Sequence, residues 1–297
     1  MKTLFKTFNS SYYETVCDFL IEVSKDERRH INWNWARWEW MVFHPEFNNS
    51  LTDKIGLWFC SSNNVLVGIT TYDHYFGEAF YAVKIGYEEL EKEILEYAIA
   101  NFSNEDGLGI AVCESDTQRI NFLLHNGFRE DNNSENILEI NMANITFSYF
   151  LSKGIRMKSL HIKEDLYKHH KVLWEGFEND GSVPYDEKTI NQQKRMLSAP
   201  HLNPDLHTIA ENEKGEYIAY CGCWYNPTTD YAYFEPVCTI PQYRGMEIGK
   251  AVVLESLKKC YEKGAKKAYV ISESPFYKSI GFVQQSHYNF YWHHISG

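Results

Sequence analysis

The sequence predicts a mixed α/β protein of two domains, each built on one twisted sheet flanked by helices. Three observations predict it. The 297 residues are 44% apolar with a mean hydropathy of −0.46, enough for two ordinary globular domains. Strand-like and helix-like runs alternate through both halves. The halves also align at a constant offset of 154 residues, which sets Val83 on Val237, Ile94 on Ile248, Gly127 on Gly281 and Phe128 on Phe282. The expected division is 1–146 and 147–297.

The first half opens on an amphipathic helix over Ser11–Val23, followed by the tryptophan-rich run Asn32–Phe43. Trp33, Trp35, Trp38 and Trp40 suit a buried helix face better than a ligand pocket. Strand-like runs follow at Ile55–Cys60, Val65–Tyr72 and Glu78–Ile85, then a charged helix over Glu88–Phe102. A strand at Leu108–Cys113 leads to a helix at Thr117–His125, which Gly127 stops in a left-handed conformation. Asp131–Asn136 reads as a hairpin turn, and Ile137–Met142 as the strand that closes the domain. Residues 143–160 form the crossing into the second half.

The second half repeats the plan. Helices are expected at Asp165–Phe177 and Glu187–Leu197, then strands at Leu206–Glu211, Tyr217–Tyr225 and Asp230–Thr239. Apolar residues at helical spacing mark a helix over 248–262. A strand at Lys267–Ser272, a short helix at Pro275–Ser279 and a final strand pair over Gly281–Trp292 complete it.

The chemistry concentrates between Tyr233 and Lys250. An apolar strand runs into a turn carrying Arg244, Gly245 and Gly249, and the turn opens directly into a helix. Backbone N–H groups at the positive end of a helix dipole make a site for phosphate or pyrophosphate. Arg244 and Lys250 add positive charge at the two ends of the turn. This segment resembles the acetyl-CoA-binding motif of the GNAT N-acetyltransferase superfamily, Gln/Arg-x-x-Gly-x-Gly/Ala. Here it reads Arg244-Gly245-Met246-Glu247-Ile248-Gly249, with Glu247 where the first motif glycine is usual. Glu235-Pro236-Val237 precedes the loop, and Ser272 to Phe282 follows it in the family's order and spacing.

The resemblance implies tandem GNAT-like domains with mostly antiparallel sheets, and transfer of an acetyl group from acetyl-CoA to the amine of a small molecule or peptide. It implies that Val237, Cys238, Thr239, Gln242, Arg244 to Lys250 and Ser274 hold the cofactor. Glu235 stands where family members carry the general base, and Tyr277 matches the tyrosine that protonates the leaving thiolate. Pro236 removes one ladder donor, as a strand splaying from its neighbour would require.

At the same offset, Tyr81, Leu90, Glu91, Leu95, Glu96 and Leu123 stand opposite Glu235, Arg244, Gly245, Gly249, Lys250 and Tyr277. Acidic residues there would repel a pyrophosphate, so the first domain is expected to be a degenerate copy. Two other readings stay open: a non-catalytic acyl-CoA-binding module, and a transferase using a larger acyl donor.

Charge supports a single polyanion site in the second half. Residues 1–147 hold 11 Lys+Arg against 23 Asp+Glu, whereas residues 148–297 hold 18 against 17. This balance argues against nucleic acid or an anionic membrane as partner. No apolar run approaches 18 residues and the N-terminal segment lacks a signal-type apolar core, so a cytoplasmic monomer or homodimer is expected. Seven cysteines without paired spacing fit reduced thiols, and Cys221-x-Cys223 has no partner pair for a metal. Neither His169-His170 nor His293-His294 has metal-ligand spacing, so no metal site is expected. A covalent route through Cys238 lacks an identifiable paired His.

Overall fold

The computed structural model describes residues 2–25, 30–74 and 76–294. In chain order they form β1 (Thr3–Thr7), α1 (Tyr13–Val23), α2 (Trp35–Phe43), β2 (Gly56–Cys60), β3 (Leu66–Tyr72) and β4 (Glu78–Val83). Next come α3 (Glu91–Phe102), β5 (Leu108–Cys113), α4 (Thr117–His125), β6 (Arg129–Asn141), β7 (Arg156–Ser159), α5 (Ile162–Gly176) and α6 (Glu187–Met196). The chain ends with β8 (Thr208–Glu211), β9 (Tyr217–Tyr225), β10 (Tyr231–Thr239), α7 (Ile248–Glu262), β11 (Lys267–Ile271), α8 (Pro275–Ile280) and β12 (Val283–His293).

Compactness does not follow the sequential halves 1–146 and 147–297. One unit comprises residues 1–42, 46–137 and 285–297, and the other comprises 43–45 and 138–284. The first unit's sheet runs β1-β2-β3-β4-β5-β12 and is antiparallel except for the parallel β4–β5 pair. Its last strand comes from the end of the chain, with β12 and β5 in register from Tyr288↔Cys113 to His293↔Leu108. In the second unit the order is β6-β11-β10-β9-β8-β7, with antiparallel pairs from β7 through β10 and a parallel β10–β11 pair. Each repeat's last strand therefore joins the sheet begun by the other repeat, a connection that repeat alignment alone does not reveal.

Helix existence follows local signals. Asp116 caps α4 by accepting from Arg119 N at 3.1 Å, and Asp186 caps α6 by accepting from Thr189 N at 3.1 Å. The matched glycines Gly127 and Gly281 both end a helix with positive φ (85° and 113°), and the phenylalanine after each is buried. Two expectations differ, and two strands, β1 and β7 (Arg156–Ser159, inside the expected crossing), are not foreseen in the sequence. Residues 131–136 are not a hairpin but the middle of β6, where Glu135 accepts from Arg37 and Asn32, and Asn136 meets His287 at 2.8 Å. Side-chain partners hold that polar run extended. The final strand pair is one strand, β12. The largely exposed strand β1 lacks the apolar alternation that marks a strand in sequence.

Trp33, Trp35 and Trp38 are buried, and Trp33 stacks on Phe80 at 3.9 Å between centroids. In the second unit, α5 and α7 pack against β9, whose nine residues are all buried. The core there includes Cys221 and Cys223, with Cys223 Sγ 3.0 Å from Cys260 Sγ. Burial pushes the Cys221 thiol up to about 12, which suits neutral core thiols. Among the described residues, no helix is long and apolar enough to cross a membrane.

His169 on α5 and His207 lie fully buried around the Tyr220 ring, and His207 Nδ1 bonds the Tyr220 hydroxyl. Burial lowers both imidazoles from 6.5 to about 3; His170 adds to it at His169, where Asp165 opposes it, and His169 and Lys259 add to it at His207. The unfolded chain binds these protons near pH 6.5 and the folded chain does not, so stability falls as pH drops from 6.5 toward 3. At pH 5 the loss is on the order of 2 kcal/mol per histidine. Urea midpoints measured at pH 7.5 and 5 should show this drop, and a double His169→Gln/His207→Gln variant should lose most of it.

Candidate active site

The second unit's sheet opens at the end of β10. The parallel β10–β11 register covers only Tyr231↔Lys267, Ala232↔Ala268 and Tyr233↔Tyr269, and β10 then continues alone on that side. On its other side, β10 pairs with β9, but the register shifts between Phe234 and Val237, so Glu235 and Pro236 together oppose Gly222. A Cβ on Gly222 would meet Glu235 O at 2.6 Å and Pro236 Cδ at 2.9 Å, so only glycine fits opposite this bulge. Trp224 Nε1 donates to Glu235 O at 2.9 Å and fixes the bulged backbone.

Beyond the bulge, Ile240 N donates to Ile218 O at 3.0 Å on the β9 side. Alternation along an antiparallel ladder then turns the Val237 and Thr239 N–H groups toward the opening, and the Cys238 N–H back toward Tyr220. Two donors thus face the gap between β10 and β11, while Cys238 serves the ladder.

The turn after β10 delivers the start of α7 beside this gap. The N–H groups of Ile248, Gly249 and Lys250 are the first of the helix and have no intrahelical acceptor. A Cβ on Gly249 would lie 2.8 Å from Thr239 Oγ1, which shows how closely the helix start approaches the strand end. Gly245 has φ +77°, open only to glycine at low cost. Glu247 adopts φ +61° as well, in the place where the motif resemblance puts a glycine.

A cavity of about 650 Å³ joins these parts. All the expected site residues line it except Gln242 and Met246, which are exposed. Glu235, Pro236, Val237, Cys238 and Thr239 form one wall; Arg244, Gly245, Glu247, Ile248, Gly249 and Lys250 form the turn; Tyr277 comes from α8 and Ser274 is the residue before it. Ser274 accepts from Phe276 N at 3.3 Å and so caps α8. Sequence reasoning missed Gly176, Phe177, Tyr233 and Tyr243, which also line the cavity. Their only signal is position in the fold: Gly176 ends α5 against Cys238, where an added Cβ would meet Cys238 Sγ at 2.7 Å.

Electrostatics separate the side chains by task. Tyr233 donates to Glu235 Oε2 at 2.6 Å. Burial, with Cys221 and Glu235 nearby, raises the Tyr277 phenol well above its ordinary value, so it remains a proton donor. Burial pushes the Cys238 thiol up to about 12, which disfavours a thiolate nucleophile there. Arg244 is not a free cation: it donates to Thr239 O at 3.0 Å, to Gly176 O at 2.9 Å and to Glu178 at 2.6 Å. Its charge suits the carbonyl end of α5. Lys250 Nζ lies 3.6 Å from Glu247.

A left-handed non-glycine residue costs about 1–2 kcal/mol, and a glycine there adds about 0.5–1 kcal/mol of unfolded-chain entropy. Glu247→Gly should therefore leave stability unchanged or raise it by about 1 kcal/mol. It also removes a carboxylate from the turn, so an anionic ligand held at the start of α7 should bind more tightly. Thermal unfolding and calorimetric titration of the variant check both effects.

In the first unit the corresponding place is filled. Arg119 lies 4.5 Å over the ring of Tyr81 and donates to Glu91 at 2.9 Å, with both charged side chains buried. Glu88 accepts from Gly86 N at 3.0 Å, and Glu93 from Trp58 Nε1 at 2.7 Å.

A twisted, mostly antiparallel sheet that parts beside a helix N-terminus defines an acyltransferase fold of the GNAT type. Residues 164–288 match the model of the acetyltransferase (GNAT) family, and this part of the chain is a GNAT domain. Over the whole chain the fold is that of tandem GNAT proteins. One from the clavulanic acid biosynthesis pathway superposes with a TM-score of 0.67 at 14% identity, covering 100% of both chains. The GCN5-related N-acetyltransferase from Sphaerobacter thermophilus gives 0.62 at 12% identity, over 97% of this chain and 94% of its own. N-myristoyltransferase from Saccharomyces cerevisiae, with bound myristoyl-CoA, gives 0.58 at 10% identity, over 97% and 77%. No curated protein matches the sequence.

Proposed function

We propose that this protein is an acyl-CoA-dependent N-acyltransferase that moves an acetyl group from acetyl-CoA to the amine of a small molecule or peptide by direct transfer. The observation that carries the reading is the cavity of about 650 Å³ in which Glu235, Tyr277 and the N-terminus of α7 come together. The residues present fit an acyl-CoA. The first N–H groups of α7 would hold the pyrophosphate, and Val237 and Thr239 N–H would meet the acyl carbonyl and pantetheine arm.

A primary amine with pKa near ~10 is mostly protonated at pH 7, so transfer needs a base. Glu235 takes the amine proton, directly or through a water, as the new N–C bond forms. The C–S bond breaks with its electron pair on sulfur, and Tyr277 supplies the proton that yields the free thiol. The first unit carries no cofactor site in this reading, because Arg119, Glu91 and Tyr81 fill the matching place.

Calorimetric titration of acetyl-CoA, followed by thiol release with a panel of amines, tests the proposal. One site per chain and amine-dependent thiol release are expected. Binding without release under any amine would leave a non-catalytic acyl-CoA module, and faster release from longer acyl-CoAs would replace acetyl as the group transferred.

A further inference from the structure

The two ends of Glu235 are held by different side chains, and this division of labour has a consequence for the reaction. Trp224 Nε1 takes the main-chain oxygen of Glu235, and the Tyr233 hydroxyl takes its carboxylate. Tyr233 is anchored in the sheet on both sides, paired with Trp224 on β9 and with Tyr269 on β11. It is the last β10 residue in register with β11, and its side chain is 1% exposed. Glu235, two residues on, sits on the bulge at the edge of the opening. Side chains two apart on a strand share a face, so the paired part of β10 presents a phenol to a carboxylate on the open side of the boundary. At 2.6 Å the contact is of the short, charge-assisted O–H···O⁻ kind.

The internal repeat adds an independent observation. The 154-residue offset sets Ala79 opposite Tyr233 and Tyr81 opposite Glu235. The hydroxyl and the carboxylate occur together in the repeat with an open cavity, and both are missing from the repeat whose corresponding place Arg119 fills.

We propose that Tyr233 is a positioning residue for the reaction: its hydroxyl orients the Glu235 carboxylate toward the incoming amine and keeps it charged at lower pH. This rests on the reading of Glu235 as the base. A hydrogen bond to the charged form of a carboxylate favours that form, so losing it makes the carboxylate take up a proton at higher pH. Glu235 also faces Tyr277 from α8, and the thiols of Cys221 on β9 and Cys238 on β10 lie near that phenol. Burial keeps both thiols and the Tyr277 phenol protonated through the working range, so their state does not change where Glu235 titrates.

The test is Tyr233→Phe, with kcat/KM for a good amine acceptor measured from pH 5 to 9 beside Glu235→Gln. The acid limb of the profile should move up by about one pH unit, with kcat lowered and acetyl-CoA affinity within about twofold of the parent. A profile that superposes on the parent, with Glu235→Gln inactive, would overturn the positioning role alone. A fully active Glu235→Gln would overturn the base reading beneath it. If Tyr233→Phe does not fold, Glu235→Asp keeps both groups while drawing the carboxylate back from the hydroxyl, and the same upward displacement is expected. An unmoved limb there would equally refute the proposal.

Discussion

Glu235→Gln should lower kcat for amine acylation by about 10²–10⁴-fold while acetyl-CoA still binds within about twofold. The amide is nearly isosteric with the carboxylate and can still accept from Tyr233, which donates at 2.6 Å in the parent, so the bulge should survive. What it cannot do is take a proton from an ammonium. The residual activity should rise with pH as the free amine fraction grows, whereas the parent's should level off. Pre-steady-state thiol release separates acylation from product release, and titration of acetyl-CoA reports binding on its own. Equal rates for parent and variant across pH 6–9 would remove Glu235 from the mechanism. A large loss of cofactor affinity would instead place it in binding.

Removing residues 283–297 should abolish folding of the first unit rather than damage only the second. The strand lost is β12, which pairs with β5 along six residues. It carries Tyr288, Phe290 and Tyr291, all buried. At roughly 2 kcal/mol for each large buried side chain, their loss is about 6 kcal/mol, comparable with the 5–15 kcal/mol that holds a domain folded. The deletion also bares the backbone donors and acceptors of β5 as a new sheet edge, a template for aggregation. For the same reason residues 1–146 expressed alone should not fold cooperatively. Circular dichroism melts and size-exclusion chromatography of both truncations check this. A soluble, cooperatively melting 1–146 fragment would contradict it.

Much of the cleft was legible because its signals are local. The turn Arg244–Gly249 opening a helix, the Glu235-Pro236 dipeptide and the helix stop at Gly281 are each encoded within a few residues. The cavity accordingly gathers nearly all the side chains expected from that stretch. What escaped depends on partners distant in sequence. Arg244 reads as a loose cation, yet it is spent on the carbonyl end of α5, 68 residues earlier. Tyr233 reads as core, yet its hydroxyl finds a carboxylate only because a bulge opposite Gly222 turns the strand there. The polar run 131–136 reads as a turn because nothing nearby announces that Arg37, Asn32 and His287 will bind it.

The sequence by itself determined the repeat, most of the strands and helices within each copy, the single glycine-bearing turn and the acidic residues that stand against it in the first copy. These follow from periodicity, backbone preference and charge, which act over a few residues. Only the tertiary structure decided which strand closes each sheet. Strand pairing depends on which open edge lies within reach, and β5 pairs with residues 175 to 185 positions away (Cys113 with Tyr288, Leu108 with His293) rather than with the strand that follows it in its own repeat. The same holds for the filled first cleft, where Arg119 reaches back 28 residues to Glu91: an ion pair forms by proximity in the fold, and proximity is not written in either residue alone.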